Sequence, residues 1–142
     1  MRNAKTLAEL LQEARAQLTR LTPLGLFART DALVLDTRTP NDRALFGCIP
    51  GSLHVPRTVL EWRVAQDAPL KRKEITSSKQ TLVVVCNEGF SSSLAAATLQ
   101  TLGYANATDL IGGFIAWRNA GLPVEPPRND EIGLRTDPHE DK

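Results

Sequence analysis

Cysteine and histidine are both scarce in this sequence. Two cysteines in 142 residues are too few for the disulfide framework of a small secreted protein and suit a reducing compartment, so we expect a cytoplasmic location. The two histidines, His54 and His139, stand in different sequence contexts, so a metal site lacks its usual ligands and none is expected. No apolar run approaches the roughly 20 residues that span a bilayer.

Charge of either sign is not in excess. The chain has 17 basic and 16 acidic residues and a net charge of +1. It therefore has no long-range field to gather nucleic acid or an anionic membrane surface, and we expect neither as a partner. A hydrophobic content of 42% and a charged content of 23% are typical of globular proteins, and the length fits one domain.

Short apolar runs alternate with segments of helical spacing along the chain. Strands are predicted over 33–35, 52–55, 82–85 and 108–111. Helices are predicted over 7–21, 43–46, 60–63, 94–102 and 114–119. The run 82–85 is unbroken and largely β-branched, which indicates burial on both faces of a parallel sheet and a central position. The alternation predicts an α/β fold with a parallel sheet.

Cys86 directly follows this central strand and begins a serine-rich loop that contains one glycine. Ligands of open parallel sheets bind beyond the carboxyl ends of the strands, so the loop is the candidate site. The N–H groups of residues 87–92 can turn inward, and the next helix adds positive partial charge, so the loop suits an anion. If the anion is the Cys86 sulfur, the helix dipole contributes about 0.3–2 kcal/mol, lowers the thiol pKa and favours a nucleophilic thiolate.

These residues also have simpler interpretations. Cys86 would then be one more small hydrophobic residue at the end of an apolar strand. Among Ser91, Ser92 and Ser93 we expect at least one N-cap, which is compatible with a role in the loop. Glu88 is interpreted as a solvated loop residue that would work against a dianionic substrate. The glycine, the serines and the helix favour the functional thiolate.

Four motifs resemble, in order and spacing, the successive signatures of a rhodanese domain. They are Leu35-Asp36-Thr37-Arg38, Gly47-Cys48-Ile49-Pro50-Gly51-Ser52, Val85-Cys86-Asn87-Glu88-Gly89-Phe90-Ser91-Ser92, and Gly112-Gly113-Phe114 with Trp117. The resemblance implies a rhodanese-like fold, a central five-stranded parallel sheet flanked by helices, with an extra N-terminal helix. We expect an N-terminal helical extension (1–24), a rhodanese-like domain (25–124) and a flexible tail (125–142).

The resemblance also implies a sulfurtransferase without metal or organic cofactor. Cys86 would attack a small sulfur donor, carry the sulfur as a persulfide and pass it to a thiol, cyanide or a protein acceptor. The loop residues expected to hold the persulfide are Asn87, Glu88, Gly89, Phe90, Ser91 and Ser92. Asp36 and Arg38 are predicted to form a structural ion pair at the end of their strand.

Arg57, Trp62 and Arg63 are candidates for the wall of the pocket, where a guanidinium would supply positive charge. The alternatives are surface ion pairs for the two arginines and a core position for Trp62. Rhodaneses that hold thiosulfate with paired cations have basic residues where this chain has Asn87 and Glu88. The loop instead resembles single-domain bacterial rhodaneses that rely on backbone amides, so thiosulfate and 3-mercaptopyruvate both stay open as donors.

Other departures and rival interpretations remain. Cys48 stands where the family commonly has histidine, His54 where it has asparagine, and Arg43 replaces a common acidic residue. Cys48 is either a buried replacement or a resolving thiol for Cys86.

Two rival functions stay open. A cysteine phosphatase would need an arginine where residues 91–93 are serines. A non-catalytic interaction module would present the N-terminal helix to a partner. Whatever the function, the exposed face of that helix is expected to pack on its own domain or on a second copy in a homodimer.

Overall fold

The computed structural model describes residues 3–128, which fold as helices alternating with short strands. In chain order the elements are α1 (Leu7–Ala16), α2 (Pro23–Phe27), β1 (Ala32–Asp36), α3 (Pro40–Phe46), β2 (Leu53–His54), a 3₁₀ turn (Arg57–Val59), α4 (Leu60–Val64), β3 (Thr81–Val85), α5 (Ser91–Thr101), β4 (Thr108–Asp109) and α6 (Gly113–Asn119). The predicted α/β class is confirmed. Most of the predicted tail (125–142), including His139, lies outside the described residues.

The strands form one parallel sheet in the order β2-β1-β3-β4. Strand β3 is internal and its apolar residues are buried, as the unbroken run predicted. Leu82 and Val84 enter one apolar cluster, whereas Val83 and Val85 enter another. Because successive side chains of a strand point to opposite faces, the sheet has an apolar core on each side.

The prediction of five strands is wrong, since the described residues form a sheet of four. At the outer edge of β4, a single residue, Leu21, makes an isolated parallel bridge with Leu110. Its carbonyl oxygen accepts a hydrogen bond from the Ile111 N–H at 2.8 Å. The pairing goes no further because Thr22 caps α2, and Pro23, the first residue of that helix, has no N–H to donate.

Helix α1 is shorter than the leucine spacing predicted, because it ends at Ala16. It begins with a capping box, in which the Thr6 hydroxyl accepts from the Glu9 N–H at 3.1 Å and the Glu9 carboxylate accepts from the Thr6 N–H at 2.8 Å. Leu18 and Leu21 pack against the clusters on opposite sides of the sheet, which one face of a continuous helix could not reach. Helix α1 itself lies against α5.

Candidate active site

Cys86 lies at the carboxyl-end edge of the sheet, directly after β3 and beside the end of β1. Thr37, the first residue after β1, ties the two strand ends together, since its N–H and its hydroxyl both donate to the Val85 carbonyl oxygen at 2.9 Å. Cys86 is 8% exposed and opens on a cavity of about 310 Å³. A parallel sheet places ligands at this edge.

The cavity is lined by the segment after β1 and by the loop after β3. Its lining residues are Thr37, Arg38, Thr39, Asp42, Cys86, Asn87, Glu88, Phe90 and Ser91. The structure therefore brings most of the predicted loop residues to one cavity, while Gly89 and Ser92 are buried behind it. Thr37, Thr39 and Asp42 were not predicted as site residues, although their position directly after a neighbouring strand was a signal that pointed to them.

The segment proposed as the pocket wall does not line this cavity. Arg57 pairs instead with Glu61, with 3.0 Å between Nη1 and Oε1. Trp62 is 63% exposed, so its alternative assignment to the core is wrong as well. Arg63 is half-buried and its carbonyl oxygen accepts from the Arg72 N–H at 2.8 Å. All three residues follow β2, and β1 separates that strand from β3 and Cys86.

Two glycines let the backbone of α6 approach the Cys86 loop closely. The Phe114 N–H donates to the Cys86 carbonyl oxygen at 2.8 Å, and the Ile115 N–H donates to that of Asn87 at 3.1 Å. Gly113 has a φ of +66°, and a Cβ there would lie 2.5 Å from the Asn87 carbonyl oxygen. Gly89 has a φ of +86°, and a Cβ there would lie 2.7 Å from the backbone nitrogen of Gly112, the first residue of the pair Gly112-Gly113 at the start of α6. The loop and the glycine pair therefore form one backbone-to-backbone unit.

The Cys86 sulfur accepts hydrogen bonds from its own loop. The Gly89 N–H donates to Sγ at 3.1 Å. Burial raises the pKa of the Cys86 thiol, but hydrogen bonds from the hydroxyls of Ser92 and Ser91 and from the N–H groups of Ser92 and Gly89 outweigh it, so the pKa is lowered. The site can therefore hold a thiolate, the nucleophilic form of cysteine.

The prediction that a serine side chain caps α5 is wrong. The N-cap is Phe90, whose side chain makes no capping hydrogen bond. The hydroxyls of Ser92 and Ser93 point instead to the buried carboxylate of Asp109, each 2.7 Å from Oδ2. Because a hydroxyl has one proton, the charged carboxylate is the preferred acceptor for Ser92, and the sulfur depends more on Ser91 and on the N–H groups.

A buried charged cluster lies beneath the cavity. The Asp36 carboxylate accepts from Arg38 Nε at 3.0 Å and Nη2 at 2.8 Å, and it also pairs with Arg43. The Arg38 guanidinium covers the ring of Phe114 at 3.9 Å from its centroid. Asp36 and Arg38 thus form the ion pair that the sequence suggested, with Arg43 as a third member.

The cavity wall has little free positive charge. Arg38 is its one cation among the lining residues, and its charge is engaged by Asp36. Asp42 and Glu88 place carboxylates on the same wall, and Asn87 Nδ2 donates to Asp42 Oδ2 at 2.9 Å. Inside the cavity, backbone N–H groups and the start of α5 are therefore the main support for an anion.

Residues 3–128 offer no metal site, membrane span or disulfide. No group of three or more His, Cys, Asp and Glu side chains there could hold a metal ion, and the described histidine, His54, bonds through Nε2 to the Arg38 carbonyl oxygen at 2.8 Å. No helix in that range is long and apolar enough to cross a membrane. Cys48 and Cys86 are both buried, and no disulfide joins them.

The sequence matches a known family over most of its length. The family model of the rhodanese-like domain matches residues 23–120, so the chain belongs to the rhodanese family, as its four motifs predicted. A sulfurtransferase of Allochromatium vinosum is 35% identical over 97 residues, which cover 68% of this chain and 81% of that protein. In six other curated relatives the match spans 16% to 51% of the relative's length. Relatives named as sulfurtransferases support an activity of that type.

Solved structures share the fold beyond the residues that the family model matches. A Rhodopseudomonas palustris protein of unknown function, a possible tyrosine phosphatase, superposes with a TM-score of 0.80 at 30% identity and covers 88% of this chain and 98% of its own. The polysulfide-sulfur transferase homodimer of Wolinella succinogenes has a TM-score of 0.61 at 24% identity and covers 87% of this chain and 89% of its own. At 24% identity, the similarity to the second structure establishes a shared fold and nothing about activity.

Proposed function

We propose that this chain is a sulfurtransferase that carries a sulfane sulfur as a persulfide on Cys86. The observation that carries the proposal is the Cys86 sulfur itself, which opens on a cavity, accepts the Gly89 N–H at 3.1 Å and has a lowered pKa. The thiolate is the nucleophilic form of cysteine, and a lowered pKa increases its share. The sulfurtransferase relatives support the same reaction type.

The first step moves sulfur from the donor to the protein. The Cys86 thiolate attacks the transferable sulfur of the donor and forms an S–S bond, while the bond between that sulfur and the rest of the donor breaks. The electron pair of the broken bond leaves with the donor remnant, which is sulfite when the donor is thiosulfate. The negative charge of the thiolate moves to the terminal sulfur of the persulfide, where the loop N–H groups stabilise it.

The second step returns Cys86 to its thiolate form. The thiolate of an acceptor attacks the terminal sulfur, the S–S bond of the persulfide breaks, and its electron pair returns to Cys86. Cyanide reacts in the same way and leaves as thiocyanate. With thiosulfate, the sulfane sulfur keeps its oxidation state in both steps. With 3-mercaptopyruvate, the thiol sulfur is oxidised to the sulfane level as its C–S bond breaks; the electron pair of that bond leaves on carbon as the enolate of pyruvate, which takes up the thiol proton. The proposed partners are therefore a small sulfur donor and a thiol acceptor.

The charge of the cavity favours a donor other than thiosulfate. Asp42 and Glu88 would repel a dianion, and the Arg38 guanidinium is engaged with Asp36. A donor with less negative charge, such as 3-mercaptopyruvate, meets less repulsion. We therefore propose that thiosulfate is the poorer of these two donors.

Intact-protein mass spectrometry tests the proposal. Wild-type protein is incubated with thiosulfate or 3-mercaptopyruvate, and we expect one added sulfur atom that cyanide removes. Cys86→Ser should gain no sulfur, whereas Cys48→Ser, a substitution of the other buried cysteine, should still gain it. A cyanide-labile gain that persists in Cys86→Ser, or no gain with either donor, would overturn the proposal.

The rival functions predict different results. A cysteine phosphatase would hydrolyse p-nitrophenyl phosphate through Cys86, but its loop needs a phosphate-gripping arginine where residues 91–93 are serines. A non-catalytic interaction module would accept no sulfur from any donor. The cytoplasmic location and the homodimer stay predictions of the sequence.

A further inference from the structure

Two arginines from the N-terminal segment reach the back of the Cys86 loop. Arg15, near the end of α1, donates through Nη2 to the Gly89 carbonyl oxygen at 2.7 Å and through Nε to Ser93 Oγ at 3.0 Å. Arg20 donates through Nη2 to the same carbonyl oxygen at 3.1 Å. Two guanidinium groups thus hold one carbonyl oxygen, and both arginines precede residue 23, where the family match begins.

A buried carboxylate organises the same region. Asp109, at the end of β4, accepts from Arg20 Nε at 2.8 Å and Nη2 at 3.2 Å, and from the hydroxyls of Ser92 and Ser93. Asp109 therefore offsets the charge of Arg20. Arg15 has no carboxylate partner within residues 3–128, so its positive charge stays next to the loop.

The direction of the Gly89 carbonyl decides the direction of the next N–H. A trans peptide is planar, so its carbonyl oxygen and its amide hydrogen point in opposite directions. The Gly89 oxygen points to the two arginines behind the loop, and the Phe90 N–H of that peptide therefore points away from them. Phe90 lines the cavity, and the centroid of its ring lies 5.8 Å from the Arg15 guanidinium carbon.

Gly89 is also the residue of the loop whose backbone has the most freedom. Glycine populates positive and negative φ about equally, so its φ of +86° is not enforced by a side chain. Something outside the residue must hold the adjoining peptides in one orientation. The two guanidinium groups on its carbonyl oxygen are placed to do so.

We propose that Arg15 and Arg20 are positioning residues of the Cys86 loop, which hold the Gly89 carbonyl away from the cavity so that the N–H groups of Gly89 and Phe90 face the sulfur and the bound anion. The positive charge that the cavity wall lacks is then supplied from behind the loop. This inference deepens the proposed function, on which its statement about the bound anion rests. The stabilisation of the Cys86 thiolate does not depend on sulfur transfer and can be tested separately.

Arg15 is the better residue to substitute. Removing Arg20 would leave the buried carboxylate of Asp109 without its ionic partner, which is expected to destabilise the fold. Arg15 bonds to two uncharged acceptors, so its loss leaves no buried ion unpaired. The other charged groups that face the loop are Asp42 and Glu88 in the cavity, Arg118 of α6 beside Asn87 and Glu88, Arg38 with Asp36 beneath it, and Asp109 with Arg20 behind it. They are unchanged in an Arg15 variant.

The test measures the rate of Cys86 alkylation by iodoacetamide as a function of pH, with the modified residue identified by peptide mass spectrometry. In Arg15→Gln we expect the midpoint of the profile to move to higher pH and the rate at neutral pH to fall on the order of threefold. Arg15→Lys, which keeps the charge but not the forked geometry, should move the midpoint less. Arg29→Gln is the matched control, because Arg29 is exposed and pairs with Asp31 on another surface.

Two results would overturn the inference. One is a folded Arg15→Gln protein, judged by circular dichroism, whose profile matches that of the wild type. The other is an equal shift in Arg29→Gln. If Arg15→Gln does not fold, Arg15→Lys decides alone, and a profile identical to the wild type refutes the positioning role. Because alkylation needs only the thiolate, these results stand whether or not Cys86 accepts sulfur from a donor.

Discussion

A single methyl group at Gly113 should reduce both the stability of the protein and the reactivity of Cys86. The Cβ of an alanine there would lie 2.5 Å from the Asn87 carbonyl oxygen and 2.6 Å from that of Cys86. Ordinary contacts between carbon and oxygen are about 3.3 Å or longer, so the Cys86 loop must move away from α6. The hydrogen bonds from α6 to these two carbonyl oxygens would lengthen as it does.

The expected size of the effect follows from two costs. Gly113 has a φ of +66°, and an alanine in the left-handed region costs about 1–2 kcal/mol. Forcing extra volume into a packed site typically adds about 1–3 kcal/mol. We therefore expect Gly113→Ala to lower the free energy of unfolding by about 2–5 kcal/mol.

Gly121 provides the matched control. Its φ is +74°, close to that of Gly113, but a Cβ there would meet nothing within 4 Å. Gly121→Ala should carry the backbone cost alone, about 1–2 kcal/mol. Urea unfolding of both variants and of the wild type separates the steric cost from the backbone cost, and alkylation of Cys86 reports on the loop.

We expect slower alkylation in Gly113→Ala and an unchanged rate in Gly121→Ala. Equal losses of stability in the two variants, together with an unchanged alkylation rate in Gly113→Ala, would refute the reasoning. That result would mean that the close approach of α6 does not hold the Cys86 loop.

Three further predictions concern charge. Asp109→Asn should lower the free energy of unfolding by about 3–5 kcal/mol, because it leaves Arg20 without its buried partner; urea unfolding measures this, and a loss no larger than that of the exposed Asp31→Asn would contradict it. Because folding lowers the Cys86 pKa, alkylation should fall off at lower pH in the folded protein than in the same chain unfolded in urea, and coinciding pH–rate profiles would contradict the hydrogen-bonding argument. Glu88→Lys should speed sulfur uptake from thiosulfate more than from 3-mercaptopyruvate, as followed by intact mass, since the lysine would attract the dianion; an equal change with both donors would remove the electrostatic explanation.

The local sequence was enough to predict the elements that depend on near neighbours. The run 82–85 predicted a strand buried on both faces, which the structure confirms. The serine-rich loop with its following helix led to the anion-binding site at Cys86, which stays a prediction. Four motifs in register predicted the family. Each of these inferences uses residues that are adjacent in the sequence, or motifs that follow one another in a fixed order and spacing.

The failures concern contacts between segments that are far apart in the chain. Leu18 and Leu21 continue the helical spacing of α1, yet tertiary packing draws them to opposite faces of the sheet. The serines at the start of α5 have the composition of N-caps, but the buried Asp109 carboxylate competes for two of their hydroxyls. Trp62 follows a strand, but the strand order places it away from the cavity.

By itself, then, the sequence determined the α/β class and the family and predicted the nucleophile, because a buried strand, a tight loop and a helix are encoded in one continuous stretch around Cys86. Only the tertiary structure decided what surrounds that stretch. It placed Asp42 on the cavity wall and brought Arg15 and Arg20 behind Gly89, across sequence separations of 74 and 69 residues. Spacing along a chain does not specify such contacts, since they depend on the order in which parallel strands and their connecting segments assemble.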